Sequence, residues 1–314
     1  MIFVGVDWAE AYHEVCVLDQ AGAVLGRRRV PDGVAGVGQL HGLVADHASE
    51  PSEVIVGIEL DRGLLVAALT AAGYQVVAVN PLAASRYRER HGTSGAKSDP
   101  GDARVLADLV RTDRHNHRPV AGDSELAEAI RVLARAHQSA IWSRQRQLNS
   151  LRSALRACYP AALDAFGTDL ACGDALAVLA LASTPERGRQ LSRAKITAAL
   201  RRGGRHRNLE QRAAQIQAAL RSPQLAAPQA ISRAYGTVTQ ASVGLLASLN
   251  QQIATLEEAL GEGLNRHPDA KTIRSLPGLG MVLGARVLGE FGDDQTRFPI
   301  AKSRKNYAGS APIT

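Results

Sequence analysis

Four carboxylates in this chain have the placement to do chemistry together. Asp99 and Asp102 lie three residues apart in Gly95-Ala96-Lys97-Ser98-Asp99-Pro100-Gly101-Asp102-Ala103-Arg104, where a glycine- and serine-containing loop gives way to a helical pattern. Pro100 suits the first turn of a helix, because the N–H it lacks would have no helical partner there. That spacing puts Asp99 at the N-cap and Asp102 one turn on, facing the same way. Alone, the pair reads equally well as an ordinary helix start. Asp7 and Glu59 change the weighting, since each is the acid in a short apolar run, residues 2–8 and 54–60. An unpaired buried carboxylate is costly, so each must reach solvent at a strand end or hold something. Four acids converging from neighbouring strands and one helix start are what a hard divalent cation, which prefers oxygen donors, would require.

The surrounding pattern supplies elements to position them. Residues 2–8, 14–19 and 23–30 read as three strands, with Gln20-Ala21-Gly22 as a tight turn, so an antiparallel meander is expected. Residues 34–47 carry apolar side chains at helical intervals, 54–60 form a continuous apolar strand, and 64–72 a helix stopped by Gly73. A fifth strand follows at 75–79. Asn80 caps a helix from Pro81 to about residue 91, and a further helix runs over 100–111. Three hairpin strands, a helix, then alternating strands and helices is the order of a ribonuclease H-like (RuvC-like) α/β domain. In that fold the first and fourth strands are neighbours, and Asp7 and Glu59 fall at their ends.

From Leu126 the period changes. Leu126, Ile130, Leu133, Ile141, Leu148, Leu151, Leu155 and Cys158 define one long amphipathic helix, with Arg135, Arg144, Arg146 and Arg152 among its basic residues. Leu245, Leu249, Ile253, Leu256, Leu260 and Leu264 give a second, with a coiled-coil rhythm. The two read equally as a hairpin within the chain or as an oligomer seam. Residues 172–182 read as an apolar helix. Arg201-Arg202-Gly203-Gly204-Arg205-His206-Arg207 reads as a basic loop suited to phosphate, with a plain solvated loop as its rival. Near the end, helix, Pro277-Gly278-Leu279-Gly280, helix is a helix-hairpin-helix pattern. Gly278 and Gly280 would let backbone approach a phosphate, flanked by Lys271 and Arg274.

Charge agrees with a polyanionic partner. The formal net charge is +7, but residues 131–221 hold 16 Arg and Lys against 5 Asp and Glu, a net of +11. A basic excess so concentrated points to nucleic acid, although an arginine-rich composition alone produces a milder version of it. Aromatic residues make up only 4%, which argues against base stacking as the main binding device. Cys16, Cys158 and Cys172 have neither zinc-ligand nor disulfide-framework spacing, which favours a reducing cytoplasm. There is no signal-peptide pattern at the N-terminus and no apolar run long enough for a membrane span.

These motifs resemble the DEDD transposases of insertion sequences, which recombine DNA under the direction of a bridge RNA. The resemblance is carried by Gly5-Val6-Asp7, Gly57-Ile58-Glu59, Lys97-Ser98-Asp99-Pro100-Gly101-Asp102-Ala103, Leu276-Pro277-Gly278-Leu279-Gly280, and Phe298-Pro299 through Tyr307-Ala308-Gly309-Ser310-Ala311-Pro312. It implies a RuvC-like domain over 1–122, with Mg2+ held by Asp7, Glu59, Asp99 and Asp102. It implies a helical coiled-coil region over 123–268 for RNA contact and for assembly into a dimer or tetramer. It also implies a C-terminal transposase domain over 269–314. The partners so implied are DNA and a guide RNA, and the reaction is metal-dependent cleavage and strand transfer. Lys97, Arg135, Arg144, Arg146, Arg152, Arg201, Arg202, Arg205, Arg207, Lys271, Arg274, Gly278 and Gly280 are the expected nucleic-acid contacts. The family's serine nucleophile follows the Ala-Gly-x-x-Pro segment in a Ser-Gly pair; the chain is read as stopping short of it, and Ser310 sits at a position that varies. Two alternatives stay open: a nucleic-acid-binding remnant without catalysis, and a RuvC-like nuclease that uses water. A sugar-kinase relative is disfavoured, because Trp8-Ala9-Glu10 stands where a phosphate loop needs Gly and Ser or Thr.

Overall fold

A computed structural model describes residues 1–91, 98–120, 122–298 and 300–310. The chain divides into two compact units, Met1–Gly122 and Asp123–Thr314.

The first unit is mixed α/β. Its elements are β1 (Ile2–Asp7), β2 (Tyr12–Leu18), β3 (Val24–Pro31), α1 (Val34–Ala45), β4 (Val54–Ile58), α2 (Leu64–Ala71), β5 (Gln75–Ala78), α3 (Pro81–His91), α4 (Asp99–Asp113) and β6 (Arg118–Pro119). The strands form one sheet in the order β3-β2-β1-β4-β5-β6. The expected meander is present, with β1–β2 and β2–β3 antiparallel. β1 and β4 are parallel neighbours, with Gly5 opposite Gly57 and Val6 opposite Ile58. The two-residue β6, too short to leave a periodic signal, adds antiparallel to β5.

Strand alternation divides the apolar residues into two layers. Ile2, Val4, Val6, Val54, Val56 and Ile58 pack on one face with Leu40 and Val44 of α1 and Leu69 of α2. Phe3 and Ile55 face the other way, among Leu106, Ala107, Leu109 and Val110 of α4. By the same period of two, Gly5 and Asp7, and Gly57 and Glu59, belong to the α4 face.

The glycines explain how close α4 comes. A Cβ at Gly5 would lie 1.9 Å from the Ala103 carbonyl oxygen, and one at Gly57 would lie 2.7 Å from that of Leu106. Only a hydrogen fits at either position.

The second unit is all helical: α5 (Glu125–Cys158), α6 (Pro160–Phe166), α7 (Gly173–Leu181), α8 (Pro185–Gln190), α9 (Arg193–Arg202), α10 (Leu209–Leu220), α11 (Gln229–Arg266), α12 (Ala270–Ser275), α13 (Met281–Phe291) and α14 (Ala301–Tyr307). Ser124 starts α5 by accepting the Ala127 N–H at 3.1 Å, with Glu125 and Glu128 in the first turn. Pro160, just beyond its end, begins a new helix. α11 is longer than its leucine rhythm suggests. Its first four turns bury Ser232, Gly236, Thr239 and Ser242 rather than leucines, so the apolar pattern announces only its second half.

α5 and α11 pair antiparallel within the chain. The Arg144 guanidinium donates to Asn250 at 3.3 Å, Gln147 to Ser242 at 2.9 Å, and His137 meets Glu257 at 3.1 Å. Two apolar cores lie along the pair. One gathers Leu151, Leu155 and Tyr159 with Leu179, Ile196, Leu200, Ile216 and Leu246. The other joins Ile130 and Ala134 to Leu260, Leu264, Ala285 and Leu288. Residues 270–291 thus pack into the same unit as the long helices. Fully burying each such aliphatic side chain is worth about 1.5–3 kcal/mol. No helix among the described residues is long and apolar enough to cross a membrane.

Candidate functional site

β1 and β4 deliver Asp7 and Glu59 to the same end of adjacent parallel strands, one residue past the Val6–Ile58 pair. Asp7 is half-buried and Glu59 exposed. Glu14 of β2 is the residue opposite Asp7, a third acid at this edge that the sequence pattern did not single out. α4 brings the remaining two.

The helix start differs from expectation. Ser98 is the N-cap, with extended backbone, while Asp99 is the first helical residue and Pro100 the second. A proline at either of the first two helical positions loses no helical hydrogen bond, so the pattern fits both registers. Nor do the two acids share an environment. The Asp102 side chain is 7% exposed and that of Asp99 63%. Residues three apart differ by about 60° around a helix, and the sheet covers only the inner one.

Cations already stand among these acids. Arg88 of α3 places a guanidinium nitrogen 2.5 Å from Asp102 Oδ1. Arg29 of β3 donates to Glu14 at 2.6 Å and comes within 3.8 Å of Asp99. The Arg88–Asp102 pair is close in distance but poor in alignment: Asp102 Oδ1 and Arg88 Nε are buried with no hydrogen-bond partner. The convergence of all four acids is not seen, since no group of three Asp, Glu, His or Cys side chains among the described residues comes together as a metal-ligand set. The donor chemistry suits a hard cation, which would have to displace the Arg88 guanidinium from Asp102 Oδ1. Lys97, like the rest of residues 92–97, lies outside the described residues.

The basic candidates of the second unit are dispersed. Arg135 forms a two-pronged pair with Glu290, 3.0 Å on each arm, which holds the Glu290 carboxyl below its ordinary pKa. Arg144 is tied to Asn250, Arg146 reaches Ser143 at 3.0 Å, and Arg152 donates to the carbonyls of Gly167 and Thr168. The expected loop at 201–207 is only partly a loop. Arg201 and Arg202 close α9, and Arg205 donates to the buried Asp174 at 2.7 Å; Arg207 is exposed. Asp174, in the first turn of α7, required a counter-charge, which spacing alone could not reveal.

In the C-terminal segment, Lys271 and Arg274 on α12 are exposed, as are Gly278 and Gly280. Gly278 has φ +79°, and neither glycine has anything within 4 Å of where a Cβ would sit, so the backbone at the start of α13 is open to approach. Ser310 donates its hydroxyl to the Lys305 carbonyl at 3.3 Å, a local bond behind α14. Burial pushes the thiols of Cys16, Cys158 and Cys172 upward, so none offers a ready thiolate nucleophile.

A buried ionic knot joins the two ends of the second unit. Asp123, whose side chain is fully buried, accepts from Arg131, from Arg297 at 3.2 Å, and from the Asp293 and Asp294 N–H groups at 3.0 and 3.1 Å. It fixes the segment after α13 against the first turns of α5.

Comparison with known proteins agrees with this layout. A family model described as a DEDD transposase of the IS110 type matches residues 4–160, and one described as "Transposase IS116/IS110/IS902 family" matches residues 270–314. The "Mini-circle putative transposase for IS117" of Streptomyces coelicolor is 46% identical over 323 aligned positions, covering 100% of this chain and 77% of the relative. The "Insertion element IS116 uncharacterized 44.8 kDa protein" of Streptomyces clavuligerus is 30% identical, covering 99% of this chain and 76% of the relative. The corresponding IS900 protein of Mycobacterium paratuberculosis is 28% identical, with 99% and 77% covered.

Proposed function

The chain belongs to the IS116/IS110/IS902 family of transposases, and from that membership we propose that its first unit carries phosphodiester chemistry at Asp7, Glu59, Asp99 and Asp102. A transposase of an insertion sequence cleaves and recombines DNA, which is therefore its partner. The observation that carries the site assignment is the facing pair Gly5 and Gly57. It seats α4 against the two strands whose ends bear Asp7 and Glu59. We read the first unit as RuvC-like on its strand order and on the parallel β1–β4 pair at its centre.

Mg2+ is the proposed cofactor, with these carboxylates as its ligands. When bound, it polarises a scissile phosphodiester and stabilises the attacking and leaving oxygens. The residues of the chain do the rest. Asp7 and Glu59 project from a rigid sheet edge, and Asp102 is held on the helix facing it. Arg88 and Arg29 offset carboxylate repulsion before loading. Arg88 must swing off Asp102 for that oxygen to serve as a ligand.

Backbone contacts are proposed for the exposed cations of the second unit and for the Gly278–Gly280 turn, read as a helix-hairpin-helix with Lys271 and Arg274 beside it. Arg205 is the weakest of these, being committed to Asp174. Guide RNA is proposed as a second partner, its base pairing reading sequence while the protein grips backbones. Assembly into a dimer or tetramer is proposed through the outer faces of α5 and α11, whose inner faces pair with each other. The functional division at residue 268/269 stands as part of the same reading. Ser310 is not proposed as nucleophile, since its hydroxyl is engaged.

The test is cleavage and strand exchange on supercoiled DNA with Mg2+ and the RNA encoded beside the gene, wild type against Asp7→Ala. Activity should fall at least about a hundredfold in the variant and vanish on chelation. Undiminished cleavage by Asp7→Ala would sink the assignment. Nicking without DNA attached to protein would replace strand exchange by the water-using nuclease.

A further inference from the structure

α5 and α13 enclose a cavity of about 550 Å3, lined by Ala134, Arg135, Gln138, Ser139, Trp142, Arg286 and Glu290. Its size is that of small-molecule sites, and three features give it a chemistry. The first is Trp142, a residue 58% exposed although an indole gains much from burial. The second is Arg286, held in place by a relay. Its terminal nitrogen lies 2.9 Å from His137 Nδ1, and His137 Nε2 lies 3.1 Å from Glu257. A guanidinium can only donate, so Nδ1 accepts and the Nε2 proton goes to Glu257. His137 is itself 3% exposed. Arg286 Nε is buried without a hydrogen-bond partner, a polar atom of this lining residue that the protein leaves unsatisfied. The third is the opposite wall, where Glu290 fixes Arg135 through both oxygens. With two guanidiniums against one carboxylate, the lining is net positive.

A flat indole, a positioned guanidinium and a Gln amide around a half-open cavity match an aromatic ring that carries hydrogen-bond acceptors and a nearby negative charge. We infer that this cavity receives one unpaired nucleobase of single-stranded nucleic acid, stacked on Trp142 with its acceptor edge toward Arg286. The inference rests on the nucleic-acid reading above and adds a subsite to it. A single stacked base is compatible with an aromatic-poor chain, because backbone contacts still supply most of the affinity. A base within a duplex cannot enter, its faces being covered by its neighbours, so the cavity selects loops, ends or displaced strands.

The chain has only two tryptophans, Trp8 and Trp142, so Trp8→Phe leaves Trp142 as the sole indole emitter. Short single-stranded oligoadenylate, as RNA and as DNA, is titrated against that protein beside duplex DNA of equal length. Binding is followed independently by anisotropy of a labelled strand. Single strands should quench Trp142 saturably and the duplex should not; quenching by only one sugar type identifies the source. Trp142→Ala should weaken single-strand binding about tenfold, the loss expected for one stacked base, with the salt slope unchanged. Trp142→Phe should recover most of it. Strands that bind without quenching Trp142, and with equal affinity for Trp142→Ala, overturn the subsite and leave the nucleic-acid reading standing. No binding of any strand overturns both.

Discussion

The two units position their candidate sites by different means. In the first, backbone meets backbone: Gly5 and Gly57 let α4 lie directly on β1 and β4, and the acids follow from strand alternation. In the second, helices are tied by side chains far apart in sequence, as in Asp123 with Arg297, His137 with Glu257, and Arg135 with Glu290. A site built on backbone contact tolerates almost no substitution at a few small residues. One built on ion pairs spreads its tolerance but depends on charge and pH.

That contrast can be tested with the same two tryptophans, since Trp8 reports on the first unit and Trp142 on the second. Gly5→Val should have the largest effect. Its side chain meets the Ala103 carbonyl at 1.9 Å and the Ala107 nitrogen at 2.4 Å, and neither is free to move. A loss of about 4 kcal/mol or more is expected, seen as collapse of the urea transition read by Trp8 in a Trp142→Phe background. Little change would mean α4 is not seated by that glycine.

Asp123→Ala should cost about 3 kcal/mol, because Arg297 and the Asp293 and Asp294 N–H groups would lose their buried acceptor and Arg131 would be left with Glu128 at 2.7 Å as its counter-charge. Here the transition read by Trp142 in the Trp8→Phe background should move and that of Trp8 should not. Coincident shifts would merge the units into one cooperative block and dissolve the comparison.

Mg2+ at about a hundred times its dissociation constant should stabilise the Trp8 transition by about 2.7 kcal/mol, and this gain should disappear in Asp102→Asn. An unmoved midpoint would remove the metal from the first unit.

The smallest effect concerns pH. Glu290 has its pKa lowered by the Arg135 hydrogen bonds against an opposing pull from burial. Its contribution is therefore fully present above the unfolded glutamate value of about 4.3, and it is lost as pH falls through the lower folded value. With 45% of the side chain exposed, solvent screening leaves about 0.5 kcal/mol. Glu290→Gln should flatten this acid limb in Trp142 fluorescence; an identical limb in the variant would assign the loss elsewhere.

Much of the first unit was legible in sequence because its signals are local. Continuous apolar runs for β1 and β4, Asn80 accepting the Leu82 N–H at 2.8 Å, and Gly73 after α2 all appear where the residue pattern puts them. The Gly-x-Asp and Gly-x-Glu pair was visible too, but its role depends on a strand register that only tertiary pairing reveals. Arg29 and Arg88 were invisible as partners of the acids, since nothing in spacing links residue 88 to residue 102. In the second unit the leucine period disclosed α5 and the later half of α11. The short helices α6, α8, α9 and α10 are absent from the sequence reading; α8 and α9 are rich in charge, whereas α10 does carry Leu209, Ala213, Ile216 and Leu220 at helical intervals. Trp142 carries no sequence signal beyond being one aromatic in a helix; its significance comes from Arg286, 144 positions away.

The pairing of α5 with α11 has a mechanical consequence. A helix of 34 residues is a rod of about 51 Å, gripped by one apolar core near each end. Held at both ends, such a rod behaves as a beam rather than a hinge, and Trp142 sits at its midpoint. A strand seated there would meet a surface that holds its shape, so its binding would not have to work against a yielding scaffold.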